Sequence, residues 1–245
     1  MTDILSDESV DDLQLNGLHI IQKKRGFRFG VDAVLLSDFA AQSKSKATLD
    51  LCTGNGIVPI LLSAKTDAKK ICGLEIQEDI CDMAKRSVEL NNLGERVQIT
   101  QGDLKNAVTI YGKSSFDKIT CNPPYMKSGA GLLNDADAKI IARHEILCTL
   151  DDVIRVSADL LIPMGRLFMV HRPSRLADII CAMREHKIEP KLLRFVCPSV
   201  GKPPNLVLIS GAKGSNSELK CLPPLYLFNA DGEETEELKK IYNRS

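Results

Sequence analysis

The chain has 245 residues, with 32 basic and 32 acidic side chains and four histidines, so its formal charge at neutral pH is zero. This length suffices for one large α/β domain with a full hydrophobic core. A neutral chain has no global basic field, so any contact with nucleic acid must use a local cationic patch. No apolar run approaches the roughly 20 residues that a membrane span needs, and the acidic N-terminus contains no apolar signal segment. We therefore expect a cytoplasmic protein with no membrane anchor.

The N-terminal arm combines a hairpin signal with a cationic cluster. Alternating residues from Leu13 to Ile21 flank Asn16-Gly17, which predicts a β-hairpin. The cluster after it consists of Lys23, Lys24, Arg25 and Arg28, interleaved with Phe27 and Phe29. Cations interleaved with aromatic rings favour a surface that holds a nucleic-acid backbone and a base together. A solvated hairpin end with both phenylalanines turned inward fits the pattern equally well.

Residues 30–40 have helical spacing, with Asp32 near the start as a candidate cap. We expect residues 1–40 to form an arm and capping helix, and residues 41–245 to form the main domain. The two parts together are expected to make one structural domain.

A strand, a glycine turn and a helix follow in immediate succession. Residues 47–52 have the pattern of a buried strand, Thr53-Gly54-Asn55-Gly56 forms the turn, and residues 57–64 form an apolar helix. Glycines let the backbone approach a ligand closely, although Gly-x-Gly alone is a weak signal.

Two further predicted strands end in carboxylates. The strand over residues 70–76 contains Glu75 at its end, about 20 residues beyond the glycines, a position from which a carboxylate reaches ribose hydroxyls. After a helix over residues 79–93, the strand over residues 97–101 is followed by Asp103, which is placed to accept from an adenine amine. Either acid alone could be an ordinary solvated strand end.

The strand over residues 116–121 stops abruptly at Asn122-Pro123-Pro124-Tyr125. Each proline fixes φ and lacks a backbone N–H, so the tetrapeptide is stiff. An amide and a phenol therefore project from the carboxyl end of a strand, where an amine could be gripped and a ring stacked.

These features occur in a fixed order along the chain, which resembles that of the Rossmann-like class I methyltransferases dependent on S-adenosylmethionine. The tetrapeptide resembles the catalytic signature of the members that methylate planar amine or amide nitrogens. The resemblance implies an α/β fold with a seven-stranded, mostly parallel sheet, an antiparallel last strand and helices on both faces. The implied cofactor-binding residues are Asp50, Gly54, Asn55, Gly56, Glu75, Asp103 and Asn122. A nicotinamide enzyme would require a third glycine where this chain has Pro59.

The second half of the chain continues the alternation of helices and strands. We predict helices over residues 150–161 and 176–186, and strands over residues 166–170, 192–197 and 206–210. The last two strands have too short a connection for a parallel crossover, so they should be antiparallel. Residues 163–165 should end the preceding helix, ahead of the first of these strands. The acidic tail over residues 231–237 should be a frayed helix.

A narrower resemblance rests on three flanking segments. Residues 29–36, Ala142-Arg143-His144-Glu145 and Gly211-Ala212-Lys213-Gly214 look like segments of the bacterial tRNA adenine-N6 methyltransferases that modify position 37 of valine tRNA. The resemblance extends from about residue 13 to 214, and it implies tRNA as the partner. The chain departs from the family at Met164, where such loops often have glycine, and beyond Gly214 we find no counterpart.

The resemblance also implies roles for individual residues. The Asn122 side-chain oxygen and the Pro123 carbonyl would accept the two hydrogens of the adenine N6 amine, Pro124 would stiffen the loop, and Tyr125 would stack on the base. Phe27 and Phe29 would form the opposite wall. Phosphate contacts are expected from Lys23, Lys24, Arg25, Arg28, Arg143, His144 and Lys213, with Lys202 as a further candidate. For Arg143 and His144 a salt bridge with Glu145 is equally plausible.

Three alternatives remain open at this point. Related enzymes with the same tetrapeptide methylate a release-factor glutamine amide or a guanine amine of ribosomal RNA, although both usually carry a larger N-terminal domain. A non-catalytic RNA-binding module is less compatible with an intact Asn-Pro-Pro-Tyr.

With eight cysteines in no Cys-x-x-Cys pair and four scattered histidines, we expect free thiols and no metal site. We also favour a monomer.

Overall fold

A computed structural model describes residues 2–25, 28–123 and 148–244. The strands are β1 (Glu8–Asp12), β2 (His19–Lys23), β3 (Ala47–Leu51), β4 (Lys70–Glu75), β5 (Val97–Gln101), β6 (Phe116–Cys121), β7 (Leu161–His171), β8 (Ile188–Ser199), β9 (Leu206–Lys213), β10 (Lys220–Cys221) and β11 (Leu225–Phe228). The helices are α1 (Val31–Ala41), α2 (Ile57–Lys65), α3 (Glu78–Leu90), α4 (Ala107–Tyr111), α5 (Leu150–Leu160), α6 (Leu176–Glu185) and α7 (Glu236–Ile241), with 3₁₀ turns at Leu104–Asn106 and Pro173–Arg175.

The main sheet has nine strands in the order β10-β8-β9-β7-β6-β3-β4-β5, with β11 also paired to β8. Strands β3 to β7 pair in parallel, whereas β9 is antiparallel to both β7 and β8. The predicted Rossmann-like sheet with an antiparallel final strand is therefore confirmed. Two short strands that were not predicted, β10 and β11, extend it beyond β8.

Strand direction fixes which loops meet at each edge. Because β3 to β7 are parallel, their last residues lie at one edge, which we term the carboxyl edge; the opposite edge is the amino edge. His171 at the end of β7 pairs with Val207 near the start of β9. The connection between β8 and β9 therefore also lies at the carboxyl edge, and the end of β9 lies at the amino edge.

Helices cover both faces of the sheet with separate apolar clusters. One cluster joins α1, α2, the arm and the C-terminal helix, with members such as Phe39, Leu62 and Ile241. The other includes α5 and α6, through Val153 and Met183. Within the ranges that the structure describes, no helix has the length and apolarity that crossing a membrane would require.

Lys118 of β6 is a fully buried cation that fastens α1 to the sheet. Its Nζ donates to the Ala40 carbonyl at 2.7 Å and to the Ser43 carbonyl. These acceptors lie at the C-terminal end of α1, where carbonyls carry partial negative charge and lack helical donors. Burial lowers the pKa of Lys118 to about 8.

The arm forms a hairpin whose first strand differs from the prediction. Glu8 pairs with Lys23 and Asp12 with His19, so residues 8–12, rather than residues 13–15, pair with β2. Leu13 belongs to the connecting loop, where its N–H donates to the Leu18 carbonyl at 2.9 Å. Both leucines are buried in the apolar cluster, and this burial determines the loop conformation instead of strand pairing.

Three other predicted boundaries are corrected by the structure. Gly30, and not Asp32, is the N-cap of α1, and there is no side-chain cap bond. The Asp32 carboxylate instead accepts from the Ala33 N–H within the first turn. Strand β7 begins at Leu161, and the predicted break at residues 163–165 is a register shift in its pairing with β6. The C-terminal helix begins only after Thr235, whose hydroxyl accepts from the Leu238 N–H at 3.2 Å.

Candidate active site

The glycine turn between β3 and α2 has a strained, open backbone. Cys52, Gly54 and Gly56 have φ angles of +57°, +56° and +83°, a region that favours glycine. The Thr53 N–H donates to the Leu74 carbonyl at 3.0 Å, which ties the turn to β4. A Cβ atom at Gly56 would lie 3.3 Å from the Ala84 Cβ, whereas a Cβ at Gly54 would meet nothing within 4 Å. The turn is thus closely packed at Gly56 and has open space beside Gly54.

Glu75 holds this turn through its side chain. One carboxylate oxygen accepts from the Gly54 N–H at 2.9 Å, and the other accepts from the Gln77 N–H at 3.0 Å. The residue is only 4% exposed. The Oε1 atom also accepts from the Gln77 side-chain amide at 3.3 Å, whereas the Oε2 atom has capacity for a further hydrogen bond, so the group can still accept from a ligand hydroxyl.

Asp50 lies below the glycine turn, in the sheet, and not beside the open space at Gly54. It is 2% exposed and accepts from the Thr120 hydroxyl of β6 at 2.6 Å. Burial raises the pKa of Asp50 to about 7; the hydrogen bond from Thr120 opposes the rise, and the negative charge of Glu75 adds to it. Asp50 therefore links β3 to β6 just before the turn, a position from which it can organise the turn.

Asp103 follows β5 at the same edge and is half-buried. Its carboxylate accepts from the Lys105 N–H at 2.9 Å and caps the 3₁₀ turn. Between the ends of β4 and β5, Ile76 leaves an apolar side chain 39% exposed. The sequence analysis did not single out Ile76; the available signal was an apolar residue directly after a strand-end carboxylate.

Asn122 lies beside the glycine turn because Leu51, at the end of β3, pairs with Cys121 at the end of β6. The Asn122 residue is half-buried and Pro123 is buried. Pro124 and Tyr125 lie outside the described residues, as do Phe27, Arg143 and His144. The amide that we expect to contact the acceptor is therefore one strand away from the open space beside Gly54.

Three cysteines meet at the end of β3 and β6. Cys52 contacts both Cys121 and Cys148. The pKa of the Cys52 thiol is raised by its contact with Cys121, that of Cys148 by its contact with Cys52, and that of Cys121 by burial; burial also adds to the first two. All eight cysteines are free, as the sequence predicts. A raised pKa keeps these groups as neutral thiols, which are poor nucleophiles.

The predicted cationic cluster of the arm is largely paired with carboxylates of the same hairpin. Lys23 contacts Asp7 at 2.8 Å and Glu8 at 3.7 Å, and Arg28 pairs with Asp11. The remaining two cations, Lys24 and Arg25, are exposed, and the Lys24 Nζ donates to the Ser6 carbonyl at 2.9 Å.

Two other predicted substrate residues lie apart from Asn122. Phe29 packs against the apolar cluster of α1 and α2 and lines a cavity of about 260 Å³ with C-terminal residues such as Tyr242. Lys213 lies at the amino edge, where its Nζ donates to the Leu161 carbonyl at 2.7 Å. In contrast, Lys202 is exposed in the connection between β8 and β9 at the carboxyl edge.

Within the described part of the chain, no group of three or more histidine, cysteine, aspartate or glutamate side chains is arranged to hold a metal ion. The arrangement at the carboxyl edge instead offers backbone donors, a buried carboxylate with spare acceptor capacity and an amide. Such a site suits an organic ligand with hydroxyls and amines.

Residues 30–183 match the methyltransferase small domain family. The chain belongs to this family. The relatives of this methyltransferase include proteins named tRNA1(Val) (adenine(37)-N6)-methyltransferase. The one from Porphyromonas gingivalis is 28% identical over 84% of this chain and 80% of its own length. The one from Aeromonas hydrophila is 24% identical over 87% of this chain and 88% of its own. A solved structure of a predicted O-methyltransferase from Agrobacterium tumefaciens superposes with a TM-score of 0.71 at 22% identity, covering 86% of this chain and 95% of its own.

Proposed function

We propose that this methyltransferase transfers a methyl group from S-adenosylmethionine to the N6 amine of an adenine in tRNA, namely adenine 37 of valine tRNA. The observation that carries the proposal is the pairing of Leu51 with Cys121, since it puts the Asn122 amide next to the glycine turn. Relatives that cover most of the chain carry the name of this activity. A tRNA substrate implies a cytoplasmic location.

The residues of the turn fit the cofactor. Glu75 is held by two backbone N–H groups and can accept from the ribose hydroxyls through charge-assisted hydrogen bonds. Open space beside Gly54 lets the backbone approach the ligand. Asp103 would accept from the adenine amine of the cofactor, and the exposed Ile76 would cover its ring.

When bound, the cofactor supplies an electrophilic sulfonium methyl group. The residues at the end of β6 address the acceptor, whose nitrogen lone pair is delocalised into the adenine ring. The Asn122 side-chain oxygen and the Pro123 carbonyl oxygen would each accept one N6 hydrogen, which orients the lone pair for in-line attack. The methylated nitrogen then carries a positive charge and loses a proton readily, so no strong general base is needed.

The test compares cells with and without the gene by mass spectrometry of nucleosides from bulk tRNA, purified valine tRNA and ribosomal RNA, and of release-factor peptides. We expect N6-methyladenosine in valine tRNA to disappear when the gene is absent and to return on complementation. If N6-methyladenosine is unchanged while a methylated guanine of ribosomal RNA or a methylated glutamine of a release factor is lost, the alternative acceptor is the substrate.

A further inference from the structure

Among the described loops at the carboxyl edge, those on the two sides of β6 differ in charge, and we term them the acidic half and the basic half; a separate acidic loop, residues 229–235, follows β11 beyond β8. The acidic half follows β3, β4 and β5 and carries Glu75, Glu78, Asp79 and Asp103, with Lys105 paired to Asp152 at 3.5 Å. The basic half comprises residues 171–175 after β7 and residues 199–205 between β8 and β9; it carries Arg172, Arg175 and Lys202, and neither of these two described segments contains Asp or Glu. Strand β6 lies between β3 and β7, so Asn122 is at the boundary.

The two segments of the basic half are joined into one surface. An Arg172 guanidinium nitrogen donates to the Asn205 carbonyl at 2.9 Å, and the Asn205 N–H donates to the Val196 carbonyl at 3.0 Å. The Lys202 N–H closes a turn onto the Ser199 carbonyl at 3.2 Å. Two prolines follow Lys202 and restrict the backbone further. The cations are therefore held on a scaffold with few internal degrees of freedom.

The charges of this surface are available to a ligand. Lys202 is exposed, and the adjacent Val200 is 73% exposed, so an apolar group is presented next to a cation. The Arg175 side chain is 46% exposed and pairs with Asp178, which is 61% exposed. Such exposed pairs contribute little to stability and are readily exchanged. His171 is buried, and desolvation lowers its pKa to about 4, so it adds no charge near neutral pH.

The N-terminal arm carries two kinds of cation. Lys23 and Arg28 pair with carboxylates of their own hairpin, whereas Lys24 and Arg25 are exposed. The arm packs on α3, where the Ile21 N–H donates to the Ser87 hydroxyl at 3.0 Å, on the side of the sheet that carries the acidic half. Exposed Glu78 and Asp79 begin α3, on which the arm packs, whereas segments 171–175 and 199–205 on the side of β7 to β9 carry no carboxylate of their own.

We propose that the basic half, residues 171–175 and 199–205, binds phosphates of the RNA strand that carries the target base. This inference rests on the proposed function and assigns the RNA to a surface other than the predicted cationic arm. The cationic sulfonium donor is matched to the acidic half and the polyanionic acceptor to the basic half. The two meet at Asn122, where the methyl group is transferred. Lys202 and Arg175 supply the phosphate contacts, and Arg172 positions the β8–β9 connection.

The experiment compares two double variants of the full chain with the same change in charge. Arg175→Gln/Lys202→Gln removes two cations from the carboxyl edge, and Lys44→Gln/Lys69→Gln removes two exposed lysines that precede β3 and β4 at the amino edge. Affinity for an unmodified valine tRNA transcript is measured by fluorescence anisotropy across a series of salt concentrations. Counterion release predicts that the first double variant flattens the slope of log affinity against log salt by about 1.5, at roughly 0.7–0.9 per phosphate contact. The second should keep the parent slope.

Two further measurements make the outcome specific. Affinity for S-adenosylmethionine, measured by calorimetry, should be the same in both double variants and in the parent; a loss in Arg175→Gln/Lys202→Gln would assign its effect to the cofactor site and overturn the inference. Equal salt slopes in both double variants would also overturn it. A parent protein that binds the transcript but methylates no adenine would contradict the proposed function alone, because the assignment of the surface is decided by the slopes. A parent that does not bind RNA would overturn both.

Discussion

Two glutamates of this protein are equally buried and are used in opposite ways. Glu75 at the carboxyl edge is 4% exposed and Glu8 in the arm is 2% exposed. Backbone N–H groups hold both oxygens of Glu75. Glu8 instead accepts from two nitrogens of the Arg86 guanidinium at 2.7 Å each, which lowers the pKa of Glu8 to about 2.

The difference teaches which buried carboxylates are available to a ligand. A carboxylate held by neutral amides is not paired with a cation of the protein and can serve a ligand. A carboxylate paired with a guanidinium is neutralised within the protein and serves to join elements, here β1 to α3.

The largest expected effect is at the boundary between the two halves. Asn122→Ala removes the side-chain acceptor for the reacting amine, so turnover should fall by about two to three orders of magnitude, as for loss of one preorganised polar partner. Affinity for S-adenosylmethionine should change little, and calorimetry on the same preparation provides the control. Near-normal turnover would mean that the Asn-Pro-Pro-Tyr loop has only a structural role.

Glu8→Ala tests the structural member of the glutamate pair. It leaves the Arg86 side chain, which is 13% exposed, without its main partner. Arg86 keeps its pair with Asp82 at 2.8 Å, so we expect the free energy of unfolding to fall by about 1.5–3 kcal/mol, the cost of losing hydrogen bonds between charged groups. Urea denaturation measures this change. Cofactor affinity of the folded variant should equal that of the parent, and a selective loss of cofactor binding would contradict the structural role.

Glu75→Ala is the matched variant at the site. Losing charge-assisted hydrogen bonds to the ribose should weaken S-adenosylmethionine binding by about 1.5–3 kcal/mol, which calorimetry would detect as a tenfold or greater rise in Kd. The Gly54 N–H also loses its acceptor, so a modest loss of stability should accompany the effect. If Glu75→Ala bound the cofactor with parental affinity, the contrast between the two glutamates would be wrong.

A further, pH-dependent effect on stability is expected at Asp50. Its pKa is raised from 3.8 to about 7 in the folded protein, so between these values the folded state retains a proton that the unfolded chain releases. Stability should therefore decline with rising pH in this window, by about 1.4 kcal/mol per pH unit, and level off above pH 7. Asp50→Asn cannot ionise and keeps an acceptor for Thr120. The difference in unfolding free energy between this variant and the parent should grow from pH 4 to 7, and parallel curves would argue against a neutral buried Asp50.

The sequence predicted the strands from β3 to β6 to within one residue, because glycines, prolines and apolar runs mark their ends locally. The first strand of the arm was mispredicted, since the acidic residues of β1 depend on Arg86, 78 residues from Glu8. Beyond Gly214 the sequence predicted only a frayed acidic helix over residues 231–237, yet these segments contribute Leu225, Leu238 and Ile241 to the core. Their structure depends on packing against α1 and β8, which no local pattern encodes.

The positions of the charged residues that the sequence proposed as phosphate contacts also depended on the tertiary fold. Lys202 and Lys213 are only 11 positions apart, but β9 runs antiparallel to β7, so one lies at the carboxyl edge and the other at the amino edge. The charges of Lys23 and Arg28 are visible in the sequence, whereas their pairing with Asp7 and Asp11 depends on the hairpin register. A cluster of cations in a sequence therefore identifies candidates, and the fold decides which are available.

The central claim, that the carboxyl edge around Asn122 methylates adenine 37 of valine tRNA, is tested most directly by methyl transfer with purified components. The full chain is incubated with S-adenosylmethionine carrying a labelled methyl group and with two valine tRNA transcripts, one with adenine and one with guanine at position 37. We predict labelled N6-methyladenosine, mapped to position 37, in the first transcript only. Equal labelling of both transcripts, or no labelling of either by a protein that binds the cofactor, would contradict the account.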